Sequence, residues 1–170
     1  MMKERRIKTL AALVICGLTV SGCGNYLGDI NVKGRAGFSV SEAGDLIVRV
    51  QPCGLPIDTV DMAGPMPQDQ PPQANPVYLQ LSDPDGRTDP FIVDPENLDP
   101  SWAIIAGDGL PTDPDALIIV NAHVEGESTQ TSQVSAYVRD VQGLRTDQIY
   151  VGSLESSRIV DESTFLHCRK

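Results

Sequence analysis

In LIVRV, Leu46, Val48 and Val50 alternate with Ile47 and Arg49, and VYLQL repeats the pattern with Val77, Leu79 and Leu81. A period of two puts those side chains on one face of an extended strand and does not fit the 3.6-residue period of a helix. ALIIVNAHV begins continuously apolar and then alternates, as a central strand does. QVSAYVR alternates again, with Val134, Ala136 and Val138 on one face, and QIYV and TFLHC complete the set. No stretch keeps helical spacing long enough to compete. The expected fold class is therefore all-β, about seven to nine short strands in an antiparallel β-sandwich, Ig-like or related. A true immunoglobulin domain places its tryptophan near the first cysteine, whereas Trp102 is far from both Cys53 and Cys168.

All 13 prolines fall between Pro52 and Pro114, and Arg87 is the only cation of that stretch. Five Asp-Pro pairs, at Asp83, Asp89, Asp94, Asp99 and Asp113, punctuate it, because proline pushes the preceding residue out of the α region. A Pro/Asp-rich loop region between strands follows. Asp94-Pro95-Glu96 and Asp113-Pro114-Asp115 also fit an N-cap followed by proline at the first helical position, so short helical turns are expected there. Within DPDGRTDPFIVD, Asp83, Asp85, Asp89 and Asp94 are hard oxygen donors of the kind calcium takes, with Asp94 at the twelfth position. The stretch departs from the EF-hand: glycine stands at position four instead of six, Arg87 at five, and the last ligand is Asp instead of Glu. Turn formers on a solvated acidic loop are the plain reading, and calcium is the alternative.

Catalytic patterns are missing. There is no GxSxG, HExxH, S-x-x-K or glycine-rich phosphate loop. Only His123 and His167 can serve as an imidazole base; His123 shares the polar side of its strand with Asn121 and Glu125, and His167 adjoins Cys168. No catalytic residues are assigned.

Upstream of these strands, a basic start (MMKERRIK) runs into an apolar stretch (TLAALVICGLTV) and then the small residues Ser21 and Gly22. The pattern is that of a secretory signal, too short to cross a bilayer, which takes about 20 apolar residues. Val20-Ser21-Gly22-Cys23 resembles the lipobox of bacterial lipoproteins. That resemblance implies a diacylglycerol on the Cys23 thiol and cleavage just before it. Residues 1–22 are then a signal peptide, 23–37 a lipidated N-terminus and glycine-containing tether, and 38–170 a single β domain. GFSVSEAGDLIVRVQPCG and the ending STFLHCR further resemble short lipoproteins of actinobacterial cell envelopes, which implies an exported, lipid-anchored β domain and no activity.

With Cys16 removed and Cys23 acylated, Cys53 and Cys168 remain, and two such cysteines outside the cytoplasm are expected to pair. Without residues 1–22 the chain carries 9 basic and 22 acidic residues, a net charge of −13. Nucleic acid is excluded as a partner, since that binding rests on Lys and Arg neutralising phosphate. Such a domain is also expected to stand off an anionic membrane. The function expected is a non-catalytic binding or accessory module, extracytoplasmic, held to the membrane by the lipid on Cys23 and serving an envelope protein partner. The alternative is an envelope enzyme or a calcium-dependent ligand binder using the acidic 83–115 region. Thiol titration of the unfolded, unreduced protein is expected to find Cys53 and Cys168 unreactive; reaction of both breaks the pairing.

Overall fold

The computed structural model describes residues 30–68 and 73–168. The expected signal peptide, the lipidation at Cys23 and the first residues of the tether lie outside them. β1 (Asn31–Val40) begins inside the expected tether, so residues 31–37 are paired strand and not leash. It forms a hairpin with β2 (Leu46–Gln51), registered from Arg35↔Gln51 to Val40↔Leu46. The turn between them is built by Ser41, whose Oγ accepts from the N–H groups of Ala43 and Asp45.

β3 (Ile57–Ala63) pairs with β4 (Val77–Arg87), and β4 with β6 (Ala103–Gly107), while β5 (Phe91–Val93) lies against β2. β7 (Leu117–His123) takes β3 on one edge and both β8 (Thr129–Ser132) and β9 (Val134–Tyr137) on the other. A five-residue helix, α1 (Val138–Gln142), leads to β10 (Ile149–Val151) and β11 (Arg158–Val160), and α2 (Glu162–Leu166) follows. The pairings are antiparallel except for β1 with β8, which is parallel. The chain is thus all-β and mostly antiparallel, as expected. The two-sheet sandwich is not what forms: the strands join in one 11-stranded sheet curled into a half-barrel. The reason is β8. Its sequence, TQTS, shows no apolar alternation, yet it bridges β1 to β7 and closes the gap that would separate two sheets.

Curling brings the two wings face to face over one core. Phe38, Val48 and Val50 from one side share a buried cluster with Val60, Met62, Leu81, Ile118 and Val120 from the other. Burying these apolar side chains supplies the main driving force, roughly 2 kcal/mol each. Pro84 is tolerated inside β4 because the strand bulges there: β4 carries three more residues from Ser82 to Arg87 than β3 does between their partners Thr59 and Ile57.

The ending TFLHC was expected as a strand; its first three residues instead close α2, and His167 and Cys168 follow that helix. Asp161 caps it, its Oδ1 accepting from Thr164 N at 2.7 Å, and this cap decides the local conformation over a weak alternation. Phe165 is the one fully buried residue of α2 and joins Ile149 and Val151 in a second small core on the outer face of β1. Gly37 makes the room: a Cβ there would lie 2.7 Å from Ile149 Cγ2 and 3.1 Å from Phe165 Cε2. Phe165→Ala is expected to lower stability by about 3 kcal/mol, and Gly37→Val to displace α2, both read by urea unfolding; a change under about 0.5 kcal/mol for Phe165→Ala would show that the helix does not hold this face.

Candidate functional site

The aspartates considered for calcium lie in the acidic middle of the chain, and one guanidinium, that of Arg87, engages the first of them. Asp83 is buried, and its Oδ2 accepts from Arg87 Nε at 2.9 Å, while Oδ1 accepts from Asp85 N. Arg87 also lies 3.6 Å from Asp99 Oδ1, donates to Ser101 Oγ, and stacks over Trp102 at 4.7 Å and Phe91 at 5.5 Å. The cation thus sits against the first of the aspartates that the calcium alternative would have used. Burial by itself raises the Asp83 pKa; the hydrogen bonds from Arg87, Asp85 N and Ser101 outweigh it and leave the carboxyl below its ordinary 3.8. Asp99 is lowered too, first by the backbone N–H and hydroxyl of Ser101.

Asp85 and Asp89 are exposed, and Asp94 serves a turn instead of a metal. Its Oδ1 accepts from Glu96 N and its carbonyl from Asn97 N. Asp99 and Asp113 repeat this arrangement with Ser101 and Trp102, and with Asp115 and Ala116. The expected helical turns at Asp94 and Asp113 are single tight turns of this kind. Among the described residues no three His, Cys, Asp or Glu side chains come together to hold a metal, so the Asp83, Asp85, Asp89 and Asp94 ligand set is not assembled.

The sequence reading missed a basic cleft. The edge of β1 is shared by two strands, β8 as far as Arg35 and β10 at Phe38, and the gap where one gives way to the other opens as a hollow of about 470 Å³. Gly34 sits at the register shift with φ of 80°, and a Cβ on it would lie 2.2 Å from Gln51 O, so only glycine passes here. Val32, Lys33, Arg35, Cys53, Ser132, Ser156 and Arg158 are among the lining residues, and among the described residues no Asp or Glu is. A second hollow of about 360 Å³ shares Arg35 and Arg158 and adds Ser163, Thr164 and His167.

This concentration of cations stands out in a chain so acidic. Arg49, Arg87, Arg139 and Arg145 are each ion-paired with carboxylates elsewhere. Lys33 and Arg158 are exposed, with no carboxylate at ion-pair distance among the described residues. Arg35 contributes to the cleft while its guanidinium donates to Thr164 O at 3.2 Å and His167 O at 2.7 Å, fastening the end of α2. Cys53 and Cys168 are bonded to each other, with Cα atoms 5.7 Å apart, so the bridge forms part of the cleft wall. Comparison with family models, curated proteins and solved structures finds no match to this chain. A sequence signal for the cleft did exist: Lys33 and Arg35, two apart, lie on one face once residues 31–37 are a strand. Arg158 arrives only through the β10–β11 pairing and has no local signal.

His123 lies on the outer sheet face, Nδ1 3.6 Å from Asp61 Oδ2 and Nε2 3.6 Å from Glu125 Oε2. Asp61 Oδ1, Asn121 Oδ1 and His123 Nδ1 are buried without hydrogen-bond partners. Asn121 and Glu125 are thus near it as expected, and Asp61 from β3 is an addition the sequence did not suggest. No Ser, Thr or Cys side chain hydrogen-bonds to this imidazole among the described residues.

Arg87→Met leaves Asp83 buried without its partner and is expected to cost about 2 kcal/mol. Asp83 and Asp99 bind protons less readily folded than unfolded, so their contribution is complete above the ordinary 3.8 and is lost as pH falls through the lower folded values. Arg87→Met should flatten that acid-side loss in urea titrations run at successive pH. Chelator is expected to leave Tm unchanged; a drop would mean that a metal binds after all.

Proposed function

We propose that this chain is an exported, lipid-anchored and non-catalytic binding module of the cell envelope, with Cys23 as its anchor. The observation that carries the reading is the Cys53–Cys168 bridge, which joins residues 115 apart. Disulfides of this kind persist in oxidising compartments, where a V-S-G-C signal would deliver the chain. The bridge also fits the needs of a tethered module, since closing a loop of this length stabilises by up to about 4.7 kcal/mol in the chain-entropy model. The surface such a module offers is the basic cleft: open, hydroxyl-lined and suited to an anionic group of an envelope partner.

Two arrangements argue for binding over catalysis. The acidic 83–115 region is occupied by its own turns and by Arg87, and the described lining of the cleft sets cations beside hydroxyls with no carboxylate or imidazole among them. The test is fractionation and intact mass of the native protein beside Cys23→Ala. The native protein is expected in the membrane fraction with the added mass of a diacylglyceryl group and the variant outside it; identical fractionation of the two removes the anchor.

A further inference from the structure

The geometry points to a specific ligand for the cleft: the phosphate of an anionic phospholipid headgroup in the bilayer that holds the anchor, an inference that rests on the reading of Cys23 as lipidated. The chemistry comes from the lining. Lys33 and Arg158 present an ammonium and a guanidinium without carboxylate partners among the described residues, Arg35 adds the positive charge of a guanidinium already held by Thr164 O and His167 O, and Ser156 adds a hydroxyl that it shares with Ser153. Phosphate oxygens accept from all three groups, and guanidinium matches their geometry in pairs. A hollow of about 470 Å³ lies within the usual range for small-molecule sites.

Chain length supplies the source. Eight residues separate Cys23 from Val32 in the cleft wall, a reach of at most about 30 Å when fully extended. The anchor therefore holds the cleft near the headgroups whatever path the linker takes. Net charge of −13 argues for repulsion from the surface, but the sign that matters is the local one, because charges are screened over about 8 Å at physiological salt. From Lys33 to Val40 β1 runs about 23 Å, and Asp45 and Glu96 flank a hollow at that far end. Closer to the cleft, Glu125 and Glu127 stand on the β7–β8 turn, whose Ser128 carbonyl accepts from Asn31 N. They oppose flat adsorption of this end, and so favour a single headgroup entering the cleft.

The experiment places the acylated protein in phosphatidylcholine vesicles with and without phosphatidylglycerol and follows amide hydrogen exchange of residues 32–35 and 150–158. Phosphatidylglycerol is expected to slow exchange in both segments, and Lys33→Ala and Arg158→Ala, both at exposed positions, to reduce that protection about fivefold each. Equal exchange in the two vesicles, or protection that survives both substitutions, overturns the proposal. Inorganic phosphate that gives the same protection over neutral vesicles assigns the cleft to free phosphate and overturns the lipid source. Failure of the anchor reads differently: the protein then does not co-float with neutral vesicles. In that case co-flotation with phosphatidylglycerol vesicles, lost in the two variants, still supports the headgroup site, and absence of it overturns both readings.

Discussion

One edge of β1 has to satisfy two partners, and the architecture follows from how it is divided. β8 runs parallel to its first residues and β10 antiparallel to its later ones, with a register shift at Gly34 and the exchange made between Arg35 and Phe38. The parallel pairing ties the two wings into one sheet, and because β8 also pairs with β7, the sheet must curl to reach both. Curling is what encloses the main core. The exchange itself leaves a stretch of β1 without a strand beside it, and the cleft opens there.

Charge is distributed by the same logic of what each residue has within reach. The proline-rich segment has one cation for its many carboxylates, and that cation is held by an ion pair, a hydroxyl and two aromatic faces. Tight turns absorb other carboxylates as acceptors for backbone N–H groups, a use that needs no cation at all. Lys33 and Arg158 are left at the cleft with no carboxylate at ion-pair distance among the described residues. The chain's formal net charge of −10 therefore misdescribes the surroundings of the cleft.

Legibility in the sequence followed apolar alternation closely. β2, β4, β7 and β9 were readable because Leu46 to Val50, Val77 to Leu81, Ile118 to Ala122 and Val134 to Ala136 mark one face. β8 was not, since Thr129 to Ser132 earns its place by backbone pairing on both edges, and a pattern of side chains cannot report that. β6 likewise exposes Ile104 and Ile105 together, which breaks the expected alternation at a bulge. Phe165 in TFLHC was correctly apolar and wrongly placed in a strand, because the cap at Asp161 acts on the backbone before any face is buried. The bridge was legible by counting cysteines; the cleft needed a long-range pairing that no local window contains.

The bridge also settles how the molecule would carry a load. A protein pulled from its N-terminal side takes the force first at Asn31, along the axis of β1, where hydrogen bonds to β2 and β8 resist sliding together instead of opening one at a time. Beyond Cys53 the backbone is closed into a covalent ring through Cys168. Tension that strips β1 and β2 therefore meets the sulfur bridge next and passes across it, so most of the sheet is relieved of mechanical work. The extensible part of the molecule is its first hairpin, and the rest behaves as a knot at the end of a line.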